Sequence, residues 1–128
     1  MRRVVVTGIG ALTPIGNNIE EYKQGLMNGV SGAGIITRFD PTNFKVKFAC
    51  EVKNFDPEVI IHRREVRRMD PFCHYALFTV HEAMEMAGLD PEKIDLDKAG
   101  VIWGSGIGGF ETIEHDIEEA ALATGDPK

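Results

Sequence analysis

Two short apolar runs, each leading directly into a glycine-rich loop, constrain the fold more than any other feature of this 128-residue chain. The first is Arg3–Thr7 in "RRVVVTGIG", and the second is "AGVIWGS" at residues 99–105. Unbroken runs rich in β-branched residues are typical of strands that are covered on both faces. We therefore predict two buried strands near opposite ends of the sequence, with other elements between them.

Helical patterns fill much of the remaining sequence. Asn18 is placed to cap a helix over "IEEYKQGLMNG", and Gly29 offers its end. Aspartate–proline pairs at residues 56–57 and 70–71 match an N-cap followed by proline in the first helical turn. The second pair opens the most clearly periodic segment, which should run to Gly88. A final helix is predicted in "GFETIEHDIEEAALATG".

The alternation of strands and helices indicates an α/β layered fold with a mainly parallel sheet. The segment "FKVKFACEV" at residues 44–52 adds a strand with one polar face, and Ser31 to Pro41 is predicted to be loop. Two or three strands make a thin sheet whose edges would stay unpaired. We therefore expect this chain to be the beginning of a longer fold.

Composition excludes several classes of protein. The net charge of −6 argues against general nucleic-acid binding, which needs a basic surface to displace counterions from phosphate. No run approaches the roughly 18 apolar residues of a membrane helix. Because Thr7, Gly8 and Gly10 break the first apolar run, we interpret it as a strand and not as a signal peptide. The expected location is the cytoplasm.

The cysteines and histidines show no pattern of a disulfide framework or a metal site. Cys50 and Cys73 are too few and too far apart for either, and we expect both to behave as small buried hydrophobes. Helical spacing puts His74 and His81 on one face, but no carboxylate or cysteine is patterned around them. We predict ordinary surface or half-buried histidines and no metal.

The stretch "VIWGSGIGGFETIEHD" satisfies the pattern G-x-G-x-x-G through Gly104, Gly106 and Gly109. In a dinucleotide-binding fold this turn presents a helix N-terminus to pyrophosphate. Here the first turns of that helix carry Glu111 and Glu114, whose negative charges oppose phosphate binding. The motif alone is a weak signal, and we do not favour a dinucleotide site.

The same glycines have a second interpretation. Glycine permits positive φ and close approach of main chain to another element or to a ligand. Ile107, between Gly106 and Gly108, is then the single bulky apolar side chain in the loop. A lone bulky group between glycines is well placed to move.

Three motifs in order resemble one known family. They are "RRVVVTGIGALTPIGNN", "RREVRRMDPF" and "GSGIGG", and together they are similar to β-ketoacyl-acyl-carrier-protein synthases of the type II elongating class. The resemblance implies a thiolase-like fold, in which two similar α/β halves form a layered body that dimerises. Residues 1–128 would be an N-terminal, incomplete portion of the first half.

The resemblance also implies a reaction, the decarboxylating condensation of an acyl thioester with malonyl-carrier protein in fatty-acid elongation. Acyl carrier protein, acyl and malonyl thioesters and a second copy of the enzyme are the implied partners, with no cofactor. The family's nucleophilic cysteine and two catalytic histidines lie beyond residue 128, and neither cysteine nor any of the four histidines here matches them. The 128 residues alone are therefore predicted to be inactive.

Ile107 matches the family residue that lines and gates the acyl-chain channel, and Gly106 and Gly108 flank it. If Ile107 has this role, its side chain should not face bulk water. The alternative is an ordinary core isoleucine.

Four of the seven arginines lie within six positions, at Arg63, Arg64, Arg67 and Arg68. On a continuous helix they would form two adjacent basic rows. Carrier proteins of this family are strongly acidic, and Arg64, Arg67 and Arg68 best match the positions that dock them. The alternative is a solvated helix face paired with surplus acids.

For the whole chain, the alternatives to an enzyme segment are a non-catalytic carrier-binding or dimerisation module and, less favoured, a nucleotide-binding domain.

Overall fold

The computed structural model describes residues 3–123, and most of its regular structure is helical. The α-helices of this range are α1 (Ile19–Met27), α2 (Arg63–Val66), α3 (Pro71–Ala87) and α4 (Phe110–Leu122). Short 3-10 helices span Pro57–Val59 and Leu96–Lys98, and two-residue strands span Gly34–Ile35 (β1) and Phe48–Ala49 (β2). None of the helices in this described range has the length and apolar character needed to cross a membrane.

Helix α1 begins and ends at the residues that the sequence predicts. The Asn18 side chain accepts a hydrogen bond from the Glu21 amide at 2.8 Å, which satisfies one of the free N–H groups of the first turn. After the last helical residue, Gly29 adopts a φ of +62°, a conformation that continues no right-handed helix.

Helix α3 is the longest element and the centre of the fold. Pro71 occupies its first turn, and Gly88 ends it in the left-handed conformation at φ 63°. The N-terminal segment crosses α3 closely: a Cβ on Gly8 would collide with the Ala83 carbonyl, and one on Gly10 with the Thr79 carbonyl. These glycines are therefore required for the contact between the segment and the helix.

The two predicted buried strands are not formed in the described chain. Residues 3–7 and 99–105 have no regular secondary structure, and their apolar side chains face solvent, with Val4 95% and Ile102 101% exposed. A strand needs a neighbour to satisfy its backbone groups, and neither segment has one here. The prediction of two strands within this chain is therefore wrong.

The sheet that does form lies elsewhere. Strands β1 and β2 pair antiparallel, with Gly34 opposite Ala49 and Ile35 opposite Phe48. This pairing places a strand inside the predicted loop at 31–41 and keeps two residues of the strand predicted at 44–52. The described residues thus give no support for a mainly parallel sheet.

The core of the described range is small. Ile61 is the one large apolar side chain of this range that is buried, at 7% exposure. An aromatic cluster adds to this core: Phe55 packs edge-to-face on Tyr75 and Phe78, with ring centroids 5.5 and 5.2 Å apart. Many other large apolar side chains remain open to solvent. Apolar surface of this extent is typical of faces that other protein covers.

Candidate functional site

The arginine cluster lies on one helical turn and the turn that follows it. Helix α2 ends at Val66, so Arg67 and Arg68 lie outside it, and the expectation of one helix carrying all four arginines is wrong. The Arg68 amide still donates to the Glu65 carbonyl at 2.9 Å, which keeps the chain tightly wound. All four arginines are exposed, so each guanidinium group is accessible from solvent.

Two arginines of the cluster pair with acids, and two do not. Arg63 lies 3.6 Å from a Glu58 oxygen, and Arg68 lies 3.6 Å from a Glu65 oxygen. Within residues 3–123, neither Arg64 nor Arg67 has a carboxylate oxygen within 4 Å. Exposed pairs of this kind contribute little to stability, so the basic surface remains available to an acidic ligand.

A buried histidine anchors the arginine cluster to α3. His74 is 8% exposed, and its Nε2 lies 3.0 Å from the carbonyl oxygen of Val66. Because a carbonyl only accepts, this ring nitrogen carries the proton and donates it. The prediction of a surface or half-buried histidine is therefore wrong for His74. His81 is exposed, and its Nδ1 lies 3.6 Å from a Glu85 carboxylate oxygen. The two histidines therefore contact different groups.

The two cysteines and a group of one histidine and two carboxylates on α4 lie mostly at the surface. Cys73 is half-buried, but Cys50 is exposed, which contradicts the expectation of a buried hydrophobe there. Cys50 follows the short β2, and no second layer covers it in the described range. On α4, the side chains of His115, Asp116 and Glu119 are exposed, and one nitrogen or carboxylate oxygen from each lies within 4.8 Å of the other two.

The glycines of the loop before α4 differ in backbone conformation and in the space around them. Gly108 adopts a φ of +75°, and its amide donates to Ser105 Oγ at 3.1 Å, which closes the turn. A Cβ on Gly104 or Gly106 would meet nothing within 4 Å. The expected close approach of main chain therefore does not occur at those two positions within this chain.

Ile107 points into solvent. Its side chain is 74% exposed, and the expectation that it is shielded from bulk water is wrong for the described chain. The physical reason is that the described residues place no element over the loop at this point. Ile107 is equally not a core isoleucine here, so the alternative interpretation also fails.

Asp70 joins the arginine segment to the glycine loop. Its Oδ1 accepts a hydrogen bond from Thr112 Oγ1 in the first turn of α4 at 2.6 Å. A Cβ on Gly109, the residue that precedes α4, would collide with the same carboxylate. The contact spans 42 residues, and no local pattern could have revealed it.

This contact bears on the dinucleotide interpretation. The Asp70 carboxylate lies against Gly109 and Thr112, at the N-terminus of α4 where a pyrophosphate would have to bind. A negative group already complements the positive end of this helix dipole. The geometry therefore disfavours phosphate binding, in agreement with the sequence argument from Glu111 and Glu114.

A groove runs between the loop, α3 and the β1–β2 connection. Its wall includes aromatic and acidic side chains, among them Phe39, Phe44, Phe72, Tyr75, Phe110 and Glu114. Arg38 bridges the two sides, donating to the Tyr75 hydroxyl at 3.0 Å and lying 3.8 Å from Glu111. The residues that follow Ile107 thus face an apolar groove with an ionic bridge across it.

Comparison with known proteins identifies relatives over almost the whole sequence. The family described as "Beta-ketoacyl synthase, N-terminal domain" matches residues 1–126. The 3-oxoacyl-[acyl-carrier-protein] synthase 2 of Synechocystis sp. is 47% identical over 113 residues, which are 88% of this chain and 27% of that protein. The protein of the same name from Coxiella burnetii is 39% identical over 99% of this chain and 30% of its own length.

Two solved structures share the architecture. The ishigamide ketosynthase/chain length factor matches 94% of this chain and 30% of its own with a TM-score of 0.76 and 36% identity. A type II polyketide ketosynthase, solved in complex with its acyl-carrier protein, matches 92% of this chain and 31% of its own with a TM-score of 0.73 and 26% identity. The chain thus spans about 30% of the length of the proteins that it matches.

Proposed function

The chain belongs to the β-ketoacyl synthase family, and from this premise we propose that the protein acts as a 3-oxoacyl-[acyl-carrier-protein] synthase. In this reaction a malonyl thioester on carrier protein loses carbon dioxide, and the resulting carbanion attacks an acyl thioester held on the enzyme. A carbon–carbon bond forms, and the enzyme thiolate leaves. The observation that carries the proposal is the 47% identity over 113 residues to a synthase of this name.

The 128 residues form an N-terminal, incomplete portion of the catalytic fold. The proposed chemistry needs a low-pKa thiolate, two histidines for the enolate and backbone amides for the oxyanion. Neither Cys50, which is exposed, nor Cys73 matches the family nucleophile. The Nε2 atom of His74 is hydrogen-bonded to the carbonyl oxygen of Val66. We therefore propose that residues 1–128 are inactive alone and contribute binding surfaces to the full-length protein.

The exposed segments 3–7 and 99–105 become inner strands of a mainly parallel sheet in the full-length protein. Their β-branched and aromatic residues suit that environment. The exposure of Val4 and Ile102 supports the proposal, because such side chains are rarely left in water as contiguous groups. A homodimer, as the family resemblance implies, would cover further apolar surface. The expected cytoplasmic location stays a prediction.

Arg64, Arg67 and Arg68 form the docking surface for an acidic acyl carrier protein. All three are exposed, and Arg64 and Arg67 have no carboxylate within 4 Å in the described range, so their guanidinium groups are available. The planar fork of arginine suits carboxylate and phosphate recognition. That a related ketosynthase was solved with its acyl-carrier protein further supports this kind of partner.

Ile107, with Gly106 and Gly108 on either side, forms the gate of the acyl channel once further elements of the full-length protein cover the loop, since the described residues alone leave its side chain 74% exposed. No described residue restrains its side chain, and rotation about a side-chain bond costs little compared with backbone motion. The open space around Gly106 would admit an acyl chain or another element of the full-length protein. The acyl and malonyl thioesters are the proposed substrates.

An assay of carbon dioxide release tests the proposed function. The full-length protein is mixed with acyl- and malonyl-carrier protein, and decarboxylation coupled to chain extension is expected. A control reaction with residues 1–128 alone should release none. Carrier-protein binding by the full-length protein without any condensation would instead indicate a non-catalytic binding module and contradict the proposal.

A further inference from the structure

We propose that Asp70 and Thr112 are positioning residues that set the placement of the loop carrying Ile107, and thereby the enzyme's selectivity for acyl-chain length. The inference rests on the proposed function, since it concerns the acyl gate of the same enzyme. Neither residue touches substrate in this account. They act by fixing α4, whose first turn follows the loop directly.

The Asp70 side chain is committed to this contact and not to its own helix. Asp70 occupies the N-cap position of α3, where an aspartate usually accepts a hydrogen bond from its own first turn. It makes no such bond. Its Oδ1 accepts instead from the Thr112 hydroxyl at 2.6 Å, a distance typical of a charge-assisted bond from a hydroxyl to a carboxylate.

The packing around this bond is tight and involves the loop itself. Gly109 lies so close to the Asp70 carboxylate that a Cβ would collide with it. One residue earlier, a Cβ on Gly108 would lie 4.0 Å from the ring of Phe72. Asp70, the N-cap of α3, and Phe72 in its first turn thus lie beside the two glycines that follow Ile107.

The C-terminal end of the loop has few other restraints in the described range. The Gly108 amide bonds to Ser105 within the loop, and Arg38 lies 3.8 Å from Glu111 on the exposed surface. The Asp70–Thr112 hydrogen bond also lies at the surface, but at 2.6 Å it is the shorter of these two polar links between α4 and the other described residues. Its loss should let the start of α4 and Ile107 move together.

The test compares Thr112→Val with Thr112→Ser in the full-length protein. Valine removes the hydroxyl but keeps the shape, and because Thr112 is exposed the change leaves no cavity. Serine keeps the hydroxyl and serves as the matched control. The readout is the ratio of kcat/KM for a long and a short acyl-carrier protein, measured with the melting temperature and the carrier-protein Kd.

We expect Thr112→Val to change the long-to-short ratio by about threefold or more, the effect of losing one hydrogen bond. Thr112→Ser should keep the wild-type ratio, and both variants should keep the wild-type carrier-protein Kd. Asp70→Ala is a second variant that removes the acceptor and should shift the ratio in the same direction as valine.

Each outcome is decisive. An unchanged ratio in both Thr112→Val and Asp70→Ala, with active wild-type protein, would overturn the positioning role and leave the proposed function standing. A lower melting temperature with no change in ratio would mean that the contact only stabilises the fold. Absence of condensation by the wild-type protein would overturn the proposed function and this inference with it.

Discussion

Glu82 Oε1 accepts a hydrogen bond from the backbone N–H of Ile19, the first residue of α1, at 2.7 Å. Its other oxygen accepts one from the Ala11 amide at 2.8 Å. A single carboxylate on α3 therefore holds both the N-terminal segment and the start of α1. The negative charge also complements the positive end of the α1 dipole.

This arrangement predicts an unequal effect of two glutamate substitutions on α3. Glu82→Ala leaves two part-buried amides without their acceptor and should lower the free energy of unfolding by about 2 kcal/mol. Glu85→Ala is the matched control, because the exposed Glu85 carboxylate has His81 as its one charged partner among residues 3–123, at 3.6 Å. Chemical denaturation of the full-length protein measures both, and equal losses would contradict the role of Glu82.

A second prediction concerns the ionisation of Glu51. The Thr37 hydroxyl donates to its carboxylate at 2.8 Å, and the Thr37 amide lies within hydrogen-bonding distance as well, which lowers the pKa of Glu51. A carboxyl group with a lowered pKa in the folded state adds stability above its unfolded pKa and loses it as pH falls through the folded value. Thr37→Val should therefore raise the pKa of Glu51 toward its ordinary value.

The measurement is a carboxyl titration by NMR, with Thr37→Ser as the control that keeps the hydroxyl. The serine variant should keep the lowered pKa. If valine and serine gave the same pKa, the hydroxyl would not be the cause of the shift.

The arginine surface predicts a charge-dependent affinity for carrier protein. Reversing Arg67 and Arg68 to glutamate should weaken binding several-fold and flatten its salt dependence, because two favourable charges become repulsive. Lys98→Glu is the control, because Lys98 is exposed on the separate 3-10 helix Leu96–Lys98. It should lower the affinity for carrier protein much less. Titration at low and high salt measures this, and an unchanged affinity at low salt would contradict the docking surface.

If Ile107 gates the acyl channel, a larger side chain at this position should lower activity toward long acyl substrates. Ile107→Phe should lower kcat/KM for long acyl-carrier proteins more than for short ones, because a larger side chain narrows the channel. Ile113→Phe, on the exposed surface of α4, is the control for added bulk nearby. A uniform loss for all chain lengths would indicate general damage to the fold and not a gate.

Local features were predictable from the sequence because their causes are local. The Asn18 cap, the proline start at Pro71 and the left-handed Gly88 each depend on residues within one or two turns. The three motifs that carry the family resemblance are likewise continuous segments, and the family match over residues 1–126 confirms that resemblance.

The rest depends on contacts between distant residues. Strands at 3–7 and 99–105 require neighbours that the described chain does not provide, so their apolar pattern was not sufficient to form them. The Asp70–Thr112 bond spans 42 residues, and the Glu82–Ile19 bond spans 63. The aspartate–proline pair predicts only that Asp70 caps a helix, and neither long-range bond is predictable, because side-chain acceptors at such separations leave no periodic signal in the sequence.

Mass spectrometry of the product left on carrier protein distinguishes a condensing enzyme from a protein that only binds carrier protein. Full-length protein is supplied with an acyl-carrier protein and malonyl-carrier protein, without any reductase. A 3-oxoacyl-[acyl-carrier-protein] synthase should leave a 3-oxoacyl product that is two carbons longer than the acyl substrate, with one carbon dioxide released for each. Recovery of both thioesters unchanged, with a folded and carrier-bound protein, would contradict this function.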